Sequence, residues 1–391
     1  MKIVFTGGGT GGHFYPLIAV AESIRQLVAE QRLLEPRLTY IAPAPFDEDA
    51  LFQNGIEFVP LPAGKVRRYL SIINVIDTFR TLSGAIRAFF LLLSDVPDVV
   101  FSKGGYASVP TVIAADWIGI PIVIHESDSK PGRANLLAAK YATRIAVSYE
   151  SSIRYFPEKV RGKIALTGIP VRAALARPIP EGAAQELQLD PSVPTVLIIG
   201  GSLGSQRINE TVLQGLPQIL NIANVIHQTG PTNFTDVEAT AKVILHGNPN
   251  AQRYHAFPYL SQESLRRAAG AASIVVSRAG STAITEISLW GKPSIIIPIP
   301  ETVSHDQRSN AYAYAHTGAA EVLEEQNLTA NLLASEIKRI LGDATVMQRM
   351  AENTRKFANP GAARLIAEEL LRIALSHVPP QTTASGQTSQ A

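Results

Sequence analysis

The stretch Lys2-Ile3-Val4-Phe5-Thr6-Gly7-Gly8-Gly9-Thr10-Gly11-Gly12-His13 decides how this chain is read. An apolar strand enters a turn in which five of six residues, Gly7 to Gly12, are glycine, and an apolar-periodic helix follows from about Pro16. Glycine lets the backbone pass close to a ligand or to another segment, and a helix N-terminus beside it favours negative charge. The stretch therefore predicts a phosphate-binding turn. Gly7, Gly9 and Gly12 also fit the G-x-G-x-x-G spacing of a dinucleotide site, which wants an acid at the end of the second strand. Here Leu38-Thr39-Tyr40-Ile41-Ala42 runs into Pro43-Ala44-Pro45 with no acid before Asp47, so the nicotinamide reading loses ground. A turn serving only close strand-to-helix packing would leave His13 unexplained.

Short apolar strands alternate with helical patterns on either side of this pivot. Lys2 to Thr6, Leu38 to Ala42, Val99 to Ser102, Ile122 to His125 and Arg144 to Ser148 are each followed by turn chemistry and a helix-period segment. That alternation is the signature of a doubly wound parallel α/β sheet. The pattern breaks around Thr167-Gly168-Ile169-Pro170-Val171-Arg172 and restarts at Thr195, where Val196-Leu197-Ile198-Ile199 enters Gly200-Gly201-Ser202-Leu203-Gly204-Ser205-Gln206. Further strands are expected at Asn224 to His227, Ala251 to Ala256, Ser273 to Ser277 and Ser294 to Pro298, then helices over Leu332 to Leu341 and Ala344 to about Leu375. Two domains follow, 1–168 and 169–378, with the last helix able to return to the first domain. The polar, aperiodic stretch 379–391 reads as a disordered tail. Open α/β sheets bind ligands at the carboxyl ends of their strands, so facing domains would put both glycine turns on one cleft.

Composition narrows the class. At 391 residues the chain exceeds what one core usually supports. Its net charge of +2 is too mild to argue for nucleic acid. The chain has no cysteine, which excludes disulfides, thiolate metal ligands and a cysteine nucleophile, and suits a reducing compartment. Met1 leads straight into a strand, without a secretory pattern, and apolar runs such as Ala88 to Leu93 are far too short to span a bilayer. A soluble or peripheral protein is expected.

Four more segments follow strand ends. Ser102-Lys103-Gly104-Gly105-Tyr106-Ala107-Ser108 is a third glycine turn carrying hydrogen-bond donors, and His125-Glu126-Ser127-Asp128-Ser129-Lys130 concentrates charge that is costly to bury without purpose. Ser277-Arg278-Ala279-Gly280-Ser281-Thr282 opens a helix whose amides can face a diphosphate, with Glu286 further along to accept two vicinal ribose hydroxyls. Ser304-His305-Asp306-Gln307-Arg308-Ser309-Asn310 supplies donors and acceptors suited to a sugar ring.

In this order, these motifs closely resemble the MurG family of UDP-N-acetylglucosamine transferases, which make the lipid-linked precursor of bacterial peptidoglycan. The resemblance runs over roughly residues 1–375. It implies a GT-B glycosyltransferase fold, two Rossmann-like domains facing across a cleft, and inverting transfer of GlcNAc from UDP-GlcNAc to the C4 hydroxyl of MurNAc-pentapeptide on undecaprenyl diphosphate, converting lipid I to lipid II. It places the donor against Thr10, Gly11, Gly12, Asp128, Arg172 and Ser202, and against Arg278, Thr282, Glu286, Asp306 and Gln307. It places the acceptor against Gly9, Thr10, His13, Tyr106 and Asn135, with His13 first and Glu126 second as catalytic base. Asn310 matches an asparagine beyond the donor-sugar pair. Three departures stand out: Glu126-Ser127-Asp128 where many members have Glu-Gln-Asn, Asp306 where some have Gln, and Gln206-Arg207 in place of a commoner Ala-Arg arrangement.

No metal cluster is visible in the sequence, and two helix N-termini with an arginine can neutralise a leaving diphosphate, so no cofactor and no obligatory metal are expected. The partners implied are UDP-GlcNAc, undecaprenyl-diphosphate-linked MurNAc-pentapeptide, an anionic membrane surface and cell-wall synthesis proteins, but no nucleic acid. The expected place is the cytoplasmic face of the bacterial plasma membrane, held peripherally by Lys65 to Ile73 and Ile86-Arg87-Ala88-Phe89-Phe90, which mix cations with large apolar residues. The alternatives are a lipid glycosyltransferase with a diacylglycerol acceptor and a sugar-nucleotide-binding or epimerase-like protein that transfers nothing.

Overall fold

Every strand in the structure is parallel to its neighbours, because each is followed by a crossover segment rather than a hairpin turn. The computed structural model describes residues 1–8, 10–65, 72–201, 203–301 and 305–376. The first sheet holds β1 (Lys2–Thr6), β2 (Arg37–Ala42), β3 (Ile56–Pro60), β4 (Val99–Ser102), β5 (Ile122–Glu126), β6 (Arg144–Val147) and β7 (Ile164–Leu166). Their order is β3-β2-β1-β4-β5-β6-β7. Among them run α1 (Gly11–Glu30), α2 (Glu48–Gln53), α3 (Ile72–Asp95), α4 (Val109–Ile118), α5 (Arg133–Ala138) and α6 (Glu158–Arg161).

After α7 (Ala183–Glu186) comes a second sheet of β8 (Thr195–Ile199), β9 (Asn224–Gln228), β10 (Tyr254–Phe257), β11 (Ile274–Arg278), β12 (Ser294–Ile297) and β13 (Ala320–Val322), in the order β10-β9-β8-β11-β12-β13. Its helices are α8 (Gln206–Ile219), α9 (Phe234–Ile244), α10 (Gln262–Ala271), α11 (Ser281–Trp290) and α12 (His305–Ala315). The chain closes with α13 (Ala330–Leu341), α14 (Ala344–Phe357) and α15 (Ala362–Leu375). In each sheet the strand order reverses beside the first strand, between β1 and β4 and between β8 and β11. Those two switch points are where open α/β sheets leave a crevice for ligands.

The strands read as near-continuous apolar runs because helices cover both faces of each sheet. Val99, Val100 and Phe101 are fully buried, as are Val196, Leu197 and Ile198. Helix α1 buries Phe14, Leu17, Ile18, Ala21, Ile24 and Val28 against the first sheet, which is the helical period recurring through one core-facing stripe. Helix α15 packs there too: Ile366, Leu370, Leu371 and Ile373 share the core of Ile3, Phe5 and Leu17. Each such side chain contributes about 1.5–3 kcal/mol on burial, so the end of the chain is firmly seated on the first sheet.

Three short strands, β3, β7 and β13, lie at or next to sheet edges where apolar periodicity is weak, and the sequence pattern does not single them out. The strand expected from Ala251 begins at Tyr254, since Ala251–Arg253 forms one tight turn of 3-10 helix. The stretch 379–391 lies outside the described residues, as does most of the Lys65 to Ile73 segment.

The chain crosses between the sheets near Thr167–Gly168 and returns near Asn359. Asn359 Nδ2 donates to the Thr167 carbonyl at 2.9 Å, tying the two crossings together. Gly168 sits at φ +83°, where a side chain would be strained and would crowd Asn359.

Candidate active site

The first glycine turn lies at the β1–β4 switch point. Tyr40 donates its hydroxyl to the Gly7 carbonyl at 2.6 Å, fixing the turn from the β2 side. A side chain on Gly7 would meet Lys103, and one on Gly105 would meet the Gly8 carbonyl and approach the His13 ring, so the first and third turns touch backbone to backbone. Helix α1 then starts at Gly11 with no side chain capping its first amides. The residue placed to cap it, Thr10, pairs its hydroxyl with His13 Nδ1 at 2.9 Å. Burial and the nearby Lys103 push the His13 imidazole down to about 4, with Asp128 pulling the other way. His13 is thus neutral at pH 7.

The loop from Glu126 to Gly132, between β5 and α5, is folded around a carboxylate. Glu126 accepts from the Asp128 amide (2.9 Å), the Gly132 amide (3.0 Å) and Asn135 Nδ2 (2.9 Å). Burial raises its pKa to about 7, helped by Asp128. Asn135 is likewise buried, donates also to the His125 carbonyl, and presses its amide against Gly104. Both side chains thus shape the loop, and the Asn135 amide oxygen is left without a partner among the described residues.

Asp128 points to the other sheet. Its Oδ1 accepts from Ser281 at the start of α11 (2.5 Å) and from Asn310 Nδ2 on α12 (2.8 Å). Asn310, fully buried, also donates to Ser281 Oγ and accepts the Ser129 amide, both at 2.8 Å. Four residues from two domains thus share one polar junction. Close by, a methyl on Gly12 would lie 3.6 Å from Thr282 Oγ1. The N-terminus of α1 faces the N-terminus of α11, whose N-cap is Gly280 and which has no side-chain cap either.

Glu286 sits farther along α11, and burial lifts its carboxyl to about 7 against the pull of Arg172. Arg172 lies over the Tyr15 ring at 4.3 Å and so reaches α1 and α11 together. Arg278 is placed behind the second glycine turn: it donates to Ser205 Oγ at 2.6 Å, pairs with Glu325 at 2.5 Å and touches the Ile297 carbonyl. Gln307 accepts from the Ile299 amide at 3.3 Å. Tyr106 lies half-buried just after the third turn. Gly9, Ser202 and the side chain of Asp306 lie outside the described residues.

Several residues that build the site carry no motif. Gln228 holds the second turn by donating to the Gly201 carbonyl (3.1 Å) and accepting from the Leu260 amide (3.0 Å), and Tyr15 supports Arg172. Only three-dimensional proximity reveals them. Lys103 and Ser281 do fall inside recognisable loops, and the signal for Lys103 is a lone cation between an apolar strand and two glycines.

Two parallel sheets with paired glycine turns and facing helix N-termini define a two-domain fold of the GT-B type. Residues 3–147 match the glycosyltransferase family 28 N-terminal domain and residues 195–366 its C-terminal domain. The chain is 34% identical over 364 residues to the UDP-N-acetylglucosamine–N-acetylmuramyl-(pentapeptide) pyrophosphoryl-undecaprenol N-acetylglucosamine transferase of Treponema denticola, covering 90% of each protein. It is 35% identical to the protein so named from Halothermothrix orenii, covering 93% of this chain and 96% of that one. It superposes on the crystal structure of Acinetobacter baumannii MurG with a TM-score of 0.73 at 22% identity, over 95% of this chain and 99% of that one. The chain belongs to the family of these N-acetylglucosamine transferases, the MurG family.

Proposed function

We propose that the chain transfers GlcNAc from UDP-GlcNAc to the C4 hydroxyl of MurNAc-pentapeptide on undecaprenyl diphosphate, turning lipid I into lipid II, with inversion at the anomeric carbon. The observation that carries this reading is the convergence of the α1 and α11 N-termini across the cleft, with His13 at the mouth of one and Glu286 along the other. The C4 oxygen attacks the anomeric carbon as the bond to the diphosphate oxygen breaks, and UDP leaves with the bonding electrons. Uncapped amides at both helix ends, together with Arg172, oppose the charge that develops on the leaving diphosphate. Glu286, once ionised, accepts both ribose hydroxyls of the donor.

His13 takes the proton of the attacking hydroxyl. When Nδ1–H donates to Thr10, Nε2 carries the free lone pair. A diphosphate beside the imidazole raises its pKa, so the base strengthens as substrate binds. Glu126 is the weaker candidate, because its carboxylate already accepts three hydrogen bonds within its loop.

The acceptor lives in a bilayer, and α3 offers the means to reach it. Ile76, Phe79, Leu82, Ile86, Phe90 and Leu93 form an exposed apolar stripe along the helix, with Arg80 and Arg87 exposed beside it and Trp117 of α4 nearby. Ala85, Ala88 and Leu92 supply the opposite, buried face. Among the described residues no helix is long and apolar enough to cross a membrane. The stripe therefore supports peripheral seating on anionic lipid at the cytoplasmic face of the plasma membrane. Lys65 of this expected patch is exposed, and Arg67 and Arg68 lie outside the described residues.

Incubating the protein with UDP-GlcNAc and a lipid I analogue, with and without chelator, tests the reaction. UDP release that requires the analogue and resists the chelator is expected. Release with diacylglycerol instead, or binding without turnover, would replace this reading.

A further inference from the structure

Among the described residues Lys103 is the one buried lysine or arginine. It follows β4, is 1% exposed, and its ammonium donates to Ser127 Oγ, a neutral group that does not balance the charge. A buried ammonium is costly unless anions stand close by. Glu126 and Asp128 flank Ser127 in sequence and interact with Lys103 electrostatically, while His13 of α1 and His125 of β5 are the other titratable groups facing it. On the far side of the same loop, Asp128 Oδ1 and the Ser129 amide make the hydrogen bonds to Ser281 and Asn310 of the second domain. Lys103 thus stands under the loop segment whose other side touches α11 and α12, and its own backbone amide is bonded to the Thr6 carbonyl at the end of β1.

We infer that Lys103 is a positioning residue for the transfer: its buried ammonium holds the Glu126–Ser129 loop through Ser127 and the flanking carboxylates, and so sets Asp128 against Ser281 and Asn310 at the donor-side helix. Removing the charge leaves two carboxylates close together without their cation. They repel or Glu126 takes up a proton, the amide bonds that shape the loop weaken, and the α11 N-terminus loses its partner from the first domain. The burial that makes the ammonium costly also brings its pKa down to about 8, so the loop is held less firmly as pH rises through that value. The inference rests on the donor binding between the two helix N-termini, and the test reads donor binding separately from transfer.

The experiment measures UDP-GlcNAc binding by calorimetry, and kcat and KM, for the full chain and for Lys103→Met, Asp128→Asn and the double variant. Lys103→Met is expected to weaken donor binding and raise KM by about tenfold or more, the effect of losing one charged hydrogen bond, with a smaller change in kcat. The double variant, which removes one cation and one anion, is expected to bind better than the product of the two single losses allows. Donor affinity within about twofold of wild type in Lys103→Met overturns the inference, as does a double variant whose losses simply multiply. Should Lys103→Met fail to fold, the wild-type protein decides: its donor affinity is expected to fall as pH rises through about 8, where Glu286 is already ionised, and a flat profile overturns the inference. Wild-type protein that does not bind UDP-GlcNAc would instead refute the functional reading itself.

Discussion

The first and second glycine turns share one grammar in sequence, an apolar strand, glycines, a small hydroxyl residue and a helix, yet the helix ends that follow are in opposite chemical states. At the second turn Ser205 caps α8 by accepting the Ile208 amide, and Arg278 braces Ser205 from behind. At the first, the Thr10 hydroxyl is turned to His13, and the opening amides of α1 stay uncapped. Where each turn meets its helix the surroundings also differ: a side chain on Gly204 would strike the Thr229 carbonyl at 1.9 Å, whereas one on Gly12 would only graze Thr282. A glycine turn offers an anion site when the chain declines to cap its own helix. By that criterion we propose that α1 and α11 are the helix ends that oppose a diphosphate, and that the α8 turn is the more structural of the two.

The sharpest way to break this contrast is His13→Ala. Loss of the base is expected to lower kcat by about 10²–10⁴ while leaving UDP-GlcNAc affinity near wild type, measured by initial rates at saturating acceptor and by calorimetry. Full activity would make the first turn a scaffold like the second.

A glycine exchange separates the two turns next. Gly204→Ala places a methyl into backbone at φ +76° and is expected to destabilise the second domain by at least ~2 kcal/mol, seen as a lower unfolding midpoint. Gly12→Ala meets only ordinary contact distances and is expected to leave the midpoint unchanged while raising the KM for substrate, because the methyl enters the cleft. Equal midpoints for the two variants would show that both turns are equally open.

This difference explains what the sequence makes legible. Apolar runs, glycine turns and their order are local patterns, so both sheets follow from reading along the chain, while the GT-B class follows from the family resemblance that those motifs carry. The edge strands β3, β7 and β13 escape because short edges need little apolar periodicity. Whether Thr10 caps α1 or turns to His13 depends on a side-chain rotation, and no spacing encodes that. Arg278, which the family resemblance places against the donor, has a guanidinium that the structure also ties to Ser205, Glu325 and the Ile297 carbonyl, contacts no sequence spacing announces. Lys103 and Asp128 belong to different motifs, and only the parallel register of β4 and β5 brings the ends of their strands together.

The smallest expected effect is also the most discriminating. Ser205→Ala removes a helix cap and an acceptor for Arg278, and is expected to cost about 1 kcal/mol of stability in chemical unfolding. If the second turn is scaffold, transfer by the folded variant stays near wild type. If instead freeing those amides tightens UDP binding, the second turn is a latent anion site whose cap competes with the ligand. The comparison would then be one of degree: two turns of the same chemistry, held at different points of a capping equilibrium.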